Sequence, residues 1–188
     1  SYAYTYNALF KSEDELWQND KSLKEDVASL ILFQVTLCHP LLMVAFEKFE
    51  FAEFKKLLHG IMVISFRYNV IGKLQTNDME KAYNKTANKV FAGAISNASQ
   101  VMDDLKDLYI PDDVFRDYFE LKSFNTTNSQ QKTIARYILY KLEAQMPNGI
   151  KTGYQIDDGT IEHILPENMD AHWSNLFSEE EHLRMVYM

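Results

Sequence analysis

Cysteine is almost absent from this chain of 188 residues: Cys38 stands alone, which excludes an intramolecular disulfide and any cysteine-rich zinc site and fits a reducing cytoplasm. Glycine (6) and proline (4) are also scarce, too scarce for the frequent turns of an all-β plan. A surplus of basic charge is missing as well. With 19 Lys and Arg against 27 Asp and Glu, the formal charge is −8, so the surface as a whole does not attract phosphate and any DNA contact has to be local. The most apolar stretch, residues 27–46, is broken by Gln34, His39 and Pro40 before it reaches the roughly 20 clean residues of a membrane span; it reads as core, with no membrane partner. No charged segment followed by a short apolar run opens the chain, so nothing in it indicates secretion. It opens at Ser1 rather than methionine, as expected of a piece processed or excised from something longer. There is no fixed-period repeat and no low-complexity tract, which leaves a solenoid without support.

What is present is a real core. At 46% hydrophobic residues, the chain has the composition of one sizeable globular domain, or of one domain with a small appendage. Between residues 23 and 146 the apolar side chains recur at helical spacing. Asn128 is placed to cap a helix with Gln131 at the capping-box position, and Ile134, Ile138, Leu142 and Met146 follow on one stripe, widened by Ala135 and Leu139. Pro147 and Gly149 end it. Asn77 with Glu80 marks another start, with Met79, Ala82, Tyr83, Val90 and Phe91 as its buried face. Ser96 or Asn97 opens a helix carrying Val101, Leu105 and Leu108, and Pro111 begins one that runs through Phe115 and Phe119. The segment 50–73, apolar nearly all round at "GIMVISF", is expected to be the central helix. Tyr2, Tyr4 and Tyr6 fit either a short strand or a docked terminal helix.

The character changes after Gln145, where Pro147, Gly149, Gly153 and Gly159 crowd a short span ahead of "TIEHILPEN". The expected organisation is an α-helical domain over residues 1–150 and a second unit over 151–188. In a regular strand Glu162 and His163 face opposite sides. Pro166 disfavours helix at Leu165 and ends ladder pairing, which allows the backbone to depart from strand geometry and bring the two together. A carboxylate holds a hard divalent cation and an imidazole takes a proton from water near neutral pH, so the pair supplies half of a hydrolytic site. By spacing alone it is more simply a strand end with a hydrogen-bonded histidine.

"TIEHILPEN", followed by "HWSNLF" and "EEEHLRMV", resembles the start of the C-terminal nuclease domain of GmrSD-type, modification-dependent restriction endonucleases, whose catalytic unit looks like an HNH or His-Me finger. The preceding helices, with "FRYNVIGKLQTNDMEKAYNKTA" and "QQKTIARYILYKLEAQ", are similar to the region joining that family's N-terminal nucleotide-dependent domain to its nuclease. The resemblance implies a mainly α fold, a multi-helix connector followed by the first part of a small ββα-metal unit. It makes His163 the general base and Glu162 a metal ligand, with Mg or Mn as the divalent ion, and DNA, in some cases modified, as the substrate. A nucleotide enters only through the N-terminal domain, absent here. The family's turn proline is kept as Pro166, but the next position, often Gln, is Glu167. The family's later Asn- and Lys-bearing strand and helix would begin about where this chain stops, so the fragment is expected to be inactive alone. Acidic residues outnumber the single basic Arg184 from Asp157 onward, and this half site would repel DNA without metal or further basic residues.

Other residues have plainer readings. Cys38 and His39 are neighbours that do not face each other on a helix; His59 reads as an interfacial histidine, and His172 and His182 as surface positions. Trp173 and Phe177, four apart, are expected to pack the short following helix onto the finger. Lys55, Lys56, Arg67 and Lys73 read as a solvated face. The alternative to a nuclease fragment is a non-enzymatic helical interaction module, in which residues 21–147 form the partner-binding platform and the Glu-His pair is incidental.

Overall fold

The "GIMVISF" run lies where the sequence places the central helix. In the computed structural model, which describes residues 1–147, 149, 161, 168–169 and 171–186, helix α4 (Phe51–Ser65) buries Phe54, Leu57, Leu58, Ile61, Met62, Ile64 and Ser65. The Ser65 hydroxyl donates to the Ile61 carbonyl at 2.7 Å, a back-bond that bends helices, and the chain continues as a π-helical turn, Phe66–Ile71. Nothing in the apolar pattern foreshadows that turn.

Three helices precede α4: α1 (Tyr2–Ala8), α2 (Lys21–Phe33) and α3 (His39–Lys48). The tyrosine-rich start is helical, then, not a strand. Asp20 caps α2, accepting from the amides of Ser22 at 3.0 Å and Leu23 at 3.2 Å. After the π-helical turn come α5 (Thr76–Phe91), α6 (Ala98–Asp104), a 3₁₀ turn at Lys106–Leu108 and α7 (Asp112–Glu120). Helix α3 packs along α5, α2 along α4, and α4 also lies against α6. Trp17 ties α1 to α4: wholly buried, it donates its indole N–H to the Ala8 carbonyl at 2.9 Å and stacks on Phe54 at 6.1 Å.

Helix α5 differs from expectation at both ends. Its N-cap is Gln75, and Asn77 is its second residue rather than its cap. Met79, Tyr83, Thr86, Ala87 and Val90 form the buried face, while Phe91 is 61% exposed beneath the Lys48 ammonium, because it lies roughly 100° round the helix from Val90. Asn97 does cap α6, accepting from the Gln100 amide at 3.0 Å.

Ser1–Glu120 form one compact unit and Leu121–Met188 a second. The second contains α8 (Ser129–Glu143), a 3₁₀ turn at Trp173–Asn175 and α9 (Glu179–Val186). Asn128 caps α8 as expected, accepting from the Gln131 amide at 3.0 Å, but Gln131 reaches back to the amide of Asn125 at 2.8 Å rather than to the cap residue. Helix α8 ends at Glu143, the carbonyl with which the ring of Pro147, four residues on, would clash. Its buried face is Ile134, Tyr137 and Ile138, and the expected extension of the stripe is exposed: Leu139 and Leu142 at 52%, Met146 at 60%. Among the described residues there is no strand, and the chain is mainly α. The residues on which a ββα unit would be built, and the boundary expected near residue 150, lie outside the described residues.

Candidate functional site

Both residues of the expected site, Glu162 and His163, lie outside the described residues, as do Pro166 and Glu167. What is described flanks them: Ile161 half-buried, Asn168 exposed, Met169 half-buried. Beyond, Trp173 and Phe177 stack on each other, with ring centroids 6.0 Å apart and planes at 19°, while the finger they are expected to pack against lies outside the described residues. His172 is exposed and sits edge-on to Trp173 at 6.1 Å. His182 corrects the surface reading: it is 4% exposed, on a helix whose other described side chains are exposed.

Helix α9 has a complete capping box that the sequence carried as Ser178-x-x-Glu181. The Ser178 amide and hydroxyl donate to the Glu181 carboxylate at 2.9 and 2.8 Å, and the Glu181 amide donates to the Ser178 hydroxyl at 3.2 Å. The backbone N–H and hydroxyl of Ser178 hold the Glu181 carboxyl below its usual range. Glu179 to Glu181 fill the first turn and Arg184 the last, the arrangement that complements the helix dipole. This acidic run is therefore occupied in helix formation. Among the described residues no three His, Cys, Asp or Glu side chains converge to hold a metal ion.

The best-built polar node of the first unit is one that charge counting assigned to solvent. Arg67, on the π-helical turn, has a side chain only 11% exposed. Its guanidinium lies 4.5 Å from the Tyr109 ring centroid and 4.4 Å from that of Phe115. Its Nε donates to the Ile110 carbonyl at 2.8 Å and Nη2 to the Asp112 carboxylate at 2.5 Å. Planar, always charged and carrying donors in a fixed fork, arginine is suited to such a slot. The bulge of a π-helix often marks a functional position, and here it aims Arg67 at the start of α7. Lys55 and Lys56 are also engaged, with Asp20 and Glu53 at 2.6 Å each.

Cys38 and His39 form no catalytic pair. Cys38 is wholly buried, and burial pushes its thiol up to about 12, far from the thiolate that would attack. His39 heads α3 beside Pro40; burial lowers its pKa. His59 is interfacial as expected, its Nδ1 lying 3.2 and 3.3 Å from the two carboxylate oxygens of the buried Asp26.

Comparison with known families bears on the C-terminal part. Residues 109–188 match the model of the GmrSD restriction endonucleases, C-terminal domain. That stretch is similar to the C-terminal domain of GmrSD-type enzymes. No curated protein and no solved structure matches the chain. The GmrSD-type region covers somewhat under half of the sequence, takes in α7, α8 and α9, and contains "TIEHILPEN". It opens at Tyr109, one of the two rings that hold Arg67. "FRYNVIGKLQTNDMEKAYNKTA", residues 66–87, precedes the match. The family's description points to DNA as substrate, and restriction endonucleases generally use a divalent metal ion. No described helix is long and apolar enough to cross a membrane.

Proposed function

We propose that this chain contributes the helical connector and the first part of the nuclease of a metal-dependent DNA endonuclease that restricts modified foreign DNA in the cytoplasm. The observation that carries the reading is the GmrSD C-terminal domain match over residues 109–188, within which Glu162 and His163 stand side by side ahead of Pro166. In this reading Glu162 helps to hold a magnesium or manganese ion, whose contribution when bound is to stabilise charge on the scissile phosphate. His163, as neutral imidazole, takes the proton of the attacking water at its free ring nitrogen. In this reading the helical stretch 1–150 is the connector, and the nucleotide-dependent domain of the family is its partner.

The test uses the full protein that carries this chain. His163→Ala is expected to abolish cleavage of modified DNA while leaving the helical circular dichroism unchanged, and undiminished cleavage would overturn the assignment of the base. Calorimetric magnesium or manganese binding that disappears in Glu162→Gln supports the metal role; affinity independent of Glu162 refutes it. The interaction-module reading draws on the exposed apolar side chains of Leu139 and Leu142 on α8 and of Met146 just beyond it, and predicts no divalent-metal affinity at all.

A further inference from the structure

Residues 54–102 hold seven Lys and Arg against two acidic residues, Asp78 and Glu80, in a chain whose formal charge is −8. Four of those cations are tied to carboxylates: Lys55, Lys56, Arg67 and Lys89. Lys81 and Lys85 are not; among the described residues neither joins an ion pair. Both stand exposed on α5, and with Asn77, Asn84 and Asn88, also exposed, they fall within about 100° of one side of the helix. Met79, Tyr83 and Val90 bury the opposite side.

Two features set this face apart from one that merely meets water. Helix stability alone would not select it: like charges four residues apart repel and asparagine is a poor helix former, yet all five side chains are able to donate to an anion. At the end of the face stands Phe91, 61% exposed, with the Lys48 ammonium 5.4 Å from its ring centroid. Among the described residues no aromatic side chain is more exposed. An aromatic ring beside cationic side chains provides a stacking platform next to phosphate contacts, the combination by which single-stranded nucleic acid is held. Lysine and asparagine both donate to phosphate oxygens. From Asn77 to Phe91 the axis runs about 21 Å, the length of about six stacked nucleotides. In a duplex the faces of the bases are covered by their neighbours, so a ring on a helix surface meets only an unpaired base.

We propose that this face of α5 binds single-stranded DNA, with phosphates on Lys81, Lys85 and the three asparagines and one base stacked on Phe91 beside Lys48. That the strand is DNA rests on the restriction-endonuclease match of the C-terminal region; the surface itself makes no use of Glu162, His163 or a metal ion.

Fluorescence anisotropy of a labelled oligothymidylate against the full chain, with a chelator present, reads this surface apart from any cleavage. Lys81→Gln with Lys85→Gln is expected to weaken binding about tenfold at low salt and to reduce the slope of log affinity against log salt by about 1.4, two contacts at about 0.7 each. Phe91→Ala is expected to weaken binding about tenfold with the slope unchanged. Should Phe91→Ala alter the thermal melt, Phe91→Leu replaces it, keeping the bulk without the stacking face. A duplex of the same length is expected to bind less tightly than the strand. Lys11→Gln with Lys21→Gln, the same change of charge at exposed positions ahead of α5, is expected to leave binding unchanged. No binding at low salt, a control pair that weakens it as much as the α5 pair, an unaffected Phe91 variant, or tighter binding of the duplex or of an RNA strand would each overturn the proposal. Such a failure leaves the nuclease reading standing, and normal cleavage by His163→Ala leaves the strand-binding result standing.

Discussion

Arg67 shows how far the environment of a side chain departs from what its charge suggests. On composition it joins Lys55, Lys56 and Lys73 as a basic face, yet two aromatic rings and the Ile110 carbonyl enclose it. Arg67→Ala would leave a buried carbonyl unpaired and remove two cation–π contacts, a loss of about 2–4 kcal/mol. Arg67→Lys keeps the charge but not the planar fork, and is expected to recover less than half of that loss. Urea denaturation of the three proteins measures both; a deficit within about 0.5 kcal/mol for Arg67→Ala, as expected of an ordinary surface position, would show that the slot is not a source of stability. Cys38, by contrast, is what an isolated buried cysteine usually is, a small apolar core residue whose thiol is pushed up by burial.

Helix ends decide where several elements start, and some of them titrate. Asp20 caps α2 and also pairs with Lys55 on α4 at 2.6 Å, so one carboxylate both begins a helix and joins it to the central one. The Lys55 ammonium, aided by the Leu23 amide and the Ser22 side chain, lowers its pKa from 3.8 to about 2. The folded-state value lies below the unfolded one, so the contribution is complete above the unfolded pKa and is lost as pH falls through the folded one, between about pH 4 and pH 2. Because the Lys55 side chain is 42% exposed, solvent screens the pair and the ion-pair contribution is set at about 1 kcal/mol. Asp20→Asn keeps a capping oxygen and loses the charge; its urea midpoint should fall below that of the parent near pH 6 and coincide with it near pH 2. A gap that persists undiminished at pH 2 would assign the effect to packing instead. Asp104, with its pKa lowered by Lys89 and Thr86, responds in the same direction where α5 and α6 are joined.

The whole chain divides at Glu120, while the family match begins at Tyr109. Residues 109–120 therefore belong to the GmrSD-type stretch by sequence and to the helical unit by packing, with Arg67 as the fastening. This overlap predicts that a chain cut after Glu120 folds cooperatively without the second unit, since α1 to α7 and the Trp17 core are all retained. A chain cut after Leu108 loses Tyr109, Ile110 and Phe115 and is expected to be less stable by an amount comparable to Arg67→Ala. Chemical denaturation followed by circular dichroism compares them; equal stability of the two truncations would place the unit boundary ahead of Tyr109.

Periodicity and turn chemistry suffice to read the helical class, the central helix and the caps at Asn97 and Asn128, because those signals act within one turn of the chain and need no distant partner. The Ser178–Glu181 box is equally local, its two residues standing three apart among other acidic residues. The GmrSD character could also be recognised from "TIEHILPEN", since a motif keeps its residue types and spacing in the chain itself. Tertiary structure alone decided the rest. A stripe predicts which face of a helix can be buried, not how far a neighbour covers it, so Leu142, Met146 and Phe91 came out exposed and His182 buried. The enclosure of Arg67 by residues more than forty positions away arises where separate helices meet, and its energy depends on distances that no local pattern contains.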